Sequence, residues 1–397
     1  MTTTQKSNKQ KLGSLVDVIG DSAKKLIRSF NGRRSEFEQH IAIFGESGSG
    51  KTTLLTVFYG YQQTIEFQHN AGYSLLADDT TQGQSLLNSF YNLETKPIAP
   101  TRLTSREYSF SIRPEGVKKN AGKIVWHDYP GEWWTETKTA EEQEDKEKTF
   151  LSLISSDVAL FLVDGTKLKN DGDKYLKRLF CNFRDELRRL KEYPALKNSF
   201  PLTHFPRIWL ICLSKSDLWP DMTAEKFKQK ILKIANQELQ EVKNEIQAII
   251  EEPELFNLGE DYLLLSAFEY DEKSESITDI KKRKGVDLIA PIAFTVPVKR
   301  SLWWAKKKRK AISNIATAVE IIRKLTTGWL KWVPLVGYYF NLLDQIAKKQ
   351  VIDLIAAKEN ALKKGAFIDA ILIAFEDKLS KYNIEKTFIC RDEETIG

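Results

Sequence analysis

One octapeptide limits what this chain can fold into more than any other feature. Residues 45–52 read Gly-Glu-Ser-Gly-Ser-Gly-Lys-Thr, a full match to GxxxxGK[ST]. The octapeptide lies between HIAIFG (40–45), a β-branched and aromatic run, and a helical pattern over 51–63. Glycines let a backbone wrap until successive N–H groups point into one concavity, and the helix that follows adds the positive end of its dipole. The expectation is a buried strand, then a phosphate cradle, then a helix. Gly45, Glu46, Ser47, Gly48, Ser49, Gly50 and Thr53 would line the cradle. Lys51 would reach the β- and γ-phosphates as a catalytic residue, and the Thr52 hydroxyl would ligate Mg²⁺.

Further apolar runs at 157–165, 207–215 and 261–267, with strands expected at 108–112 and 123–127, alternate with helical stretches at 136–154, 172–193 and 224–251. Strands apolar on both faces and separated by helices predict a parallel sheet covered on both sides. The segment 64–105 reads as a long functional loop with a helical insert near 84–93. Residues 15–30 place apolar side chains at helical spacing among basic ones. After residue 285 the pattern becomes helical, over 302–325, 342–357 and 361–382. The expected organisation is an N-terminal basic amphipathic helix (1–37), a nucleotide domain with helical insertions (38–285) and an α-helical C-terminal region (286–397).

Composition narrows the class further. Of 397 residues, 42% are hydrophobic and 29% charged, which excludes wholesale disorder and collagen-like architecture. Cys181, Cys212 and Cys390 are odd in number and far apart, so neither a disulfide scaffold nor a zinc cluster is expected. The first residues lack an apolar signal region, and no uncharged run of spanning length occurs. A cytoplasmic protein is expected, with peripheral contact at a membrane left open. Residues 1–34 carry eight Lys/Arg against two Asp, and residues 299–310 carry seven Lys/Arg and no acid, while the overall net charge is only +6. The body between them is therefore acidic, and the two basic arms could meet an anionic surface.

Three downstream segments, each at the end of an expected strand, bear on which nucleotide is bound. They are Asp128-Tyr129-Pro130-Gly131-Glu132 with the form DxxG, Ser214-Lys215-Ser216-Asp217, and Ser266-Ala267. In order and spacing, together with the phosphate loop, they resemble a TRAFAC-class P-loop GTPase of Ras-like plan over about residues 38–270. The run 128–133, Asp-Tyr-Pro-Gly-Glu-Trp, further resembles the YcjX-like bacterial stress GTPases. The resemblance implies an α/β, three-layer P-loop NTPase fold with a mainly parallel, doubly wound sheet.

It also implies GTP and GDP as ligands with Mg²⁺. Asp128 would hold the metal through water, and the Gly131 amide would meet the γ-phosphate. Ser214, Lys215 and Asp217 would form the base loop, resembling NKxD, with the Asp217 carboxylate accepting from guanine N1–H and the 2-amino group. Ser266 and Ala267 would contact the guanine oxygen through backbone. Position in the family places the switch threonine, a metal and catalytic residue, at Thr101, with Thr104, Thr80 and Thr81 as alternatives. Arg102 and Arg106 are candidates for a charge-neutralising arginine.

Two departures matter. Ser214 replaces an asparagine, and Glu132 stands where a glutamine orients the attacking water, so slow hydrolysis is expected. The switching loops would be 76–106 and 129–140.

Other residues receive structural readings. Trp126, Trp133 and Trp134 are expected in packing near the second switch. His127 reads as a strand-end residue, and Asp164 is assigned no chemistry. Trp303-Trp304 with KKKRK, and Trp329 with Trp332, either anchor at a membrane interface or pack as a helical subdomain. A protein partner is expected through the switch loops or the helical tail. An anionic membrane surface through 299–310 is a second candidate, and nucleic acid is not expected. The alternatives are a nucleotide-gated binding module with little turnover and a P-loop ATPase.

Overall fold

The computed structural model describes residues 37–93, 106–128, 150, 154, 156–193, 196, 200–202, 205–206, 208–251, 253, 256–271, 276–311, 342–343, 345, 352–381 and 384–390. For 68–69, 257, 301–311 and 384–385 it describes backbone alone. The expected N-terminal helix, the stretch 136–149, and Trp329 and Trp332 lie outside these residues.

The chain enters the sheet with β1 (Phe37–Phe44) and leaves it through the phosphate-loop octapeptide into α1 (Lys51–Gln62). Next come α2 (Ile65–Ala71), β2 (Tyr73–Ala77), α3 (Thr80–Tyr91), β3 (Arg106–Pro114), β4 (Gly122–Asp128) and β5 (Val158–Asp164). Then follow α4 (Gly165–Arg189), β6 (Ile208–Ser214), α5 (Ala224–Gln247), β7 (Asn257–Leu264) and a small hairpin, β8 (Glu269–Asp271) with β9 (Ser276–Asp279). The remainder is α6 (Ile289–Ala311), α7 (Leu354–Lys363), α8 (Phe367–Lys381), α9 (Ile384–Thr387) and β10 (Phe388–Ile389).

The main sheet has the order β10-β7-β6-β5-β1-β4-β3-β2. The pairs from β7 through β6, β5 and β1 to β4 are all parallel, and the pairs at both edges are antiparallel. Alternation along β1 divides its side chains between two cores. Ile41 and Ile43 face a core shared with α1, α6 and α8. Ala42 and Phe44 face one shared with α4 and α5. The sheet is the middle of three layers, which is why β5 and β6 are apolar at nearly every position. Trp126 is fully buried against Phe58, with ring centroids 5.0 Å apart.

The α/β, mainly parallel, doubly wound arrangement agrees with the sequence expectation, and several details differ. The helical insert expected near 84–93 is present as α3, beginning at Thr80, but the residues before it are not a loop. They form α2 and the edge strand β2. Asp79 caps the N-terminus of α3, accepting from Thr81 N at 2.8 Å and Gln82 N at 3.2 Å. Helix α4 begins at Gly165, earlier than expected, and is interrupted at Gly172, where φ is 57° and ψ −133°. Helix α6 starts at Ile289 rather than 302. Its Phe294 packs between Phe37 of β1 and Phe375 of α8 at centroid distances of 5.2 and 5.5 Å. The two-residue β10 was too short to leave a periodic signal, and it extends the sheet beside β7.

Candidate functional site

β1 ends at the sheet centre between β5 and β4, where the strand order reverses, so the loop after it opens on the crevice at the carboxyl edge. Gly48 and Gly50 have φ of 79° and 90°, a left-handed conformation that a side chain would strain. Inside this loop the Lys51 ammonium is buried and donates to Gly45 O at 2.8 Å and Glu46 O at 3.0 Å. Burial lowers its pKa to about 8 against the opposing attraction of Asp128. Ser49 Oγ is buried with no hydrogen-bond partner among the described residues, a polar atom in the cradle with bonding capacity to spare.

Thr52 Oγ1 donates to Asp128 Oδ2 at 3.0 Å, bringing the first turn of α1 against the end of β4. These two adjacent hard oxygen donors fit Mg²⁺, which takes few protein ligands and completes its shell with water and phosphate. Among the described residues, no cluster of three or more His, Cys, Asp or Glu side chains could hold a metal ion by itself.

On the other side of the crevice, β6 ends at Ser214, whose Oγ donates to Val163 O at 3.3 Å. Lys215 takes a left-handed conformation, with φ 52° and ψ 42°, and a short 3₁₀ turn over Ser216–Leu218 carries Asp217. Asp217 Oδ1 lies 2.7 Å from Ser266 Oγ, and its Oδ2 accepts from Tyr270 N at 3.2 Å. Ser216 N donates to Leu265 O at 3.0 Å, which ties this loop to the end of β7 and brings Ser266 and Ala267 beside it. Burial raises the Asp217 carboxyl above its ordinary pKa, opposed by the hydrogen bonds from Ser266 and Tyr270.

Two groups that the sequence reading passed over sit between these loops. Asp164, assigned no chemistry, is buried and accepts from Lys215 Nζ at 2.9 Å. Lys167, in the first turn of α4, donates to Glu46 Oε2 at 2.7 Å and Ser47 O at 3.3 Å. A strand-ending Asp before Gly-Thr is an N-cap signal, and that is the clue the sequence offered.

His127 is buried with its Nε2 3.0 Å from His40 Nδ1. Burial, with His40 adding to it, pushes the imidazole down to about 4, so it stays neutral at physiological pH, in keeping with a structural role. Arg106 pairs in register with Asp128 on the neighbouring strand and is exposed. Thr80 and Thr81 open α3 and are exposed. Thr101, Thr104, Arg102, Gly131, Glu132, Trp133 and Trp134 lie outside the described residues.

The family model described as Double-GTPase 2 matches residues 39–254. No curated protein matches the chain. Among solved structures, similarity extends to Era in complex with MgGDPNP and 16S ribosomal RNA nucleotides, at 14% identity over 58% of this chain and 52% of that one, TM-score 0.27. The chain thus spans about half the length of that relative. A point variant of Aquifex aeolicus Era bound to GDP·AlF₄⁻ is 15% identical over 68% of each chain, TM-score 0.28. Methanosarcina barkeri Roco2 bound to GDP is 13% identical over 92% of this chain and 99% of that one, TM-score 0.29.

Proposed function

The chain belongs to the Double-GTPase 2 family, and on that premise we propose that it is a Mg²⁺-dependent GTP-binding protein that hydrolyses GTP slowly and acts as a nucleotide-controlled switch. One observation carries the reading. A buried lysine in a glycine cradle, with the Thr52–Asp128 pair at its foot, shares a sheet edge with the half-buried Asp217 carboxylate on the loop after β6.

Lys51 Nζ exchanges its two loop carbonyls for β- and γ-phosphate oxygens. Thr52 and Asp128 would hold Mg²⁺, which would supply positive charge to the phosphates. Asp217 accepts from guanine N1–H and the 2-amino group, neither of which adenine presents. Ser214 bonds to β5 rather than bracing the loop as asparagine would, which weakens the grip on the base. Glu132 accepts from the attacking water without donating to the phosphoryl group, and this keeps turnover slow. Thr101 and Gly131 report the γ-phosphate to the switch loops.

The domain spanning 38–285 carries the nucleotide, and the flanking regions 1–37 and 286–397 pass its state to a partner, in the cytoplasm. A protein partner is favoured over a membrane by the fate of two basic residues in 299–310. Lys299 pairs with Glu376 at 2.8 Å, and Arg300 with Asp261 at 2.7 Å, so part of that basic stretch is already neutralised internally.

Phosphate release from purified protein with GTP and Mg²⁺, beside Lys51→Ala, tests the proposal. Release above that control, abolished by chelation, is expected. Release no higher than the control contradicts hydrolysis and favours the binding module that scarcely turns over.

A further inference from the structure

The turn joining β5 to α4, Asp164-Gly165-Thr166-Lys167, lies between the phosphate loop and the base loop and holds both. On the base side, the 1%-exposed Asp164 receives Lys215 Nζ at 2.9 Å. Lys215 keeps φ 52°, a conformation that residues other than glycine retain when their surroundings enforce it. The approach is close: a Cβ on Gly165 would stand 2.5 Å from Ser214 O and 2.9 Å from Lys215 O. Trp219 Nε1 also donates to Gly165 O at 3.1 Å, which fixes the far end of the base loop to the same turn.

On the phosphate side, Lys167 Nζ reaches Glu46 Oε2 at 2.7 Å and Ser47 O at 3.3 Å. Asp164 fixes the stem from which Lys167 extends, accepting from Thr166 N at 2.8 Å and Lys167 N at 3.3 Å. Glu46 is the single acidic residue of the phosphate-loop octapeptide. Its carboxylate beside a triphosphate would be a like-charge contact, weakening binding through a partly desolvated path.

We propose that Asp164 and Lys167 are positioning residues of the nucleotide site: Asp164 sets the base loop through Lys215, and Lys167 sets the phosphate loop and neutralises Glu46. This rests on the nucleotide reading above. It assigns to one short turn the task of keeping the two loops at the spacing that a nucleotide spans.

The test is calorimetric titration of the full chain with Mg²⁺ and either GTP or ITP, which lacks the 2-amino group. The variants are Lys167→Met, Glu46→Gln, the double variant Glu46→Gln/Lys167→Met, and Asp164→Asn, with thermal melts to verify folding. Asparagine at 164 keeps an oxygen to cap α4 but loses the charge that holds Lys215. Lys167→Met should weaken GTP about tenfold with the GTP-to-ITP ratio unchanged. Glu46→Gln in the Lys167→Met background should restore affinity to within about threefold, because the uncompensated carboxylate is gone. Asp164→Asn should shrink the GTP-to-ITP ratio several-fold. Lys215→Met removes the same ion pair from its exposed end and should do likewise if Asp164→Asn does not fold.

A Lys167→Met protein that binds like wild type, or one that Glu46→Gln fails to rescue, overturns the phosphate half. An unchanged GTP-to-ITP ratio in Asp164→Asn and Lys215→Met overturns the base half. Wild-type protein that takes up no GTP, or Lys51→Ala that binds it undiminished, refutes the nucleotide reading itself.

Discussion

Lys51 ties the stability of the fold and the binding of nucleotide to pH with opposite signs. Burial lowers the ammonium to about 8 in the folded chain, from an ordinary value of 10.5. Between those values the unfolded chain holds more protons than the folded one, so the contribution of Lys51 to stability rises with pH. Phosphate oxygens favour the charged form, so nucleotide binding takes up a proton above the lowered pKa. The dissociation constant for GTP should therefore be flat below pH 8 and rise up to about tenfold per unit above it. Titrations from about pH 6.5 to 9.5 bracket the lowered value and measure this, and a flat profile throughout would contradict the role given to Lys51. The residues legible in the sequence were those whose chemistry dictates a spacing: Lys51 follows from the glycine loop, and Asp217 from its place beyond a buried strand. Lys167 was not legible because its partner Glu46 is 121 residues away and no local pattern records an ion pair across the crevice.

At the scale of elements, burial on both faces made β1, β5 and β6 readable, since strands in the middle layer need near-continuous apolar sequence. By contrast, β7 runs Asn257–Leu264 rather than 261–267, because Gly259, Glu260 and Asp261 interrupt the apolar run in its first half. The elements α2, β2 and β10 are short or half-exposed, so their sequence carries neither a strong period nor a long apolar run. The helical tail is fastened by a group that looked like part of a basic surface patch. Arg300 of α6 donates through Nη2 to both oxygens of Asp261 in β7, at 2.7 and 3.0 Å, and both residues are buried. Arg300→Met removes the cation that balances a buried carboxylate and should cost about 3–5 kcal/mol in denaturant unfolding. Asp261→Leu/Arg300→Met replaces the pair with apolar groups and should recover most of that loss. An Arg300→Met protein as stable as wild type would show that α6 is not held to the sheet by this pair.

Among the described residues the molecule is a three-layer sandwich, and β1, β4, β5, β6 and β7 are parallel, so the loops after β1, β5, β6 and β7 gather at the same edge as Asp128, where the candidate site lies. Among the described residues, no helix is long and apolar enough to cross a membrane. The layered architecture and the crevice were visible in the alternation of strands and helices. The close approach of α6 and α8 to the sheet was not, because a helix amphipathic pattern does not name the surface that covers it. The proposed nucleotide site turns on the base, which Asp217 is proposed to select as guanine. Equilibrium titration with GTP, ATP and XTP, on wild type and Asp217→Asn, tests it most directly. A site built around that carboxylate should favour GTP over ATP by up to about 10⁴, and asparagine, which donates as well as accepts, should move the preference to XTP. Wild-type protein that binds ATP as tightly as GTP, or an Asp217→Asn protein that still prefers GTP, would contradict it.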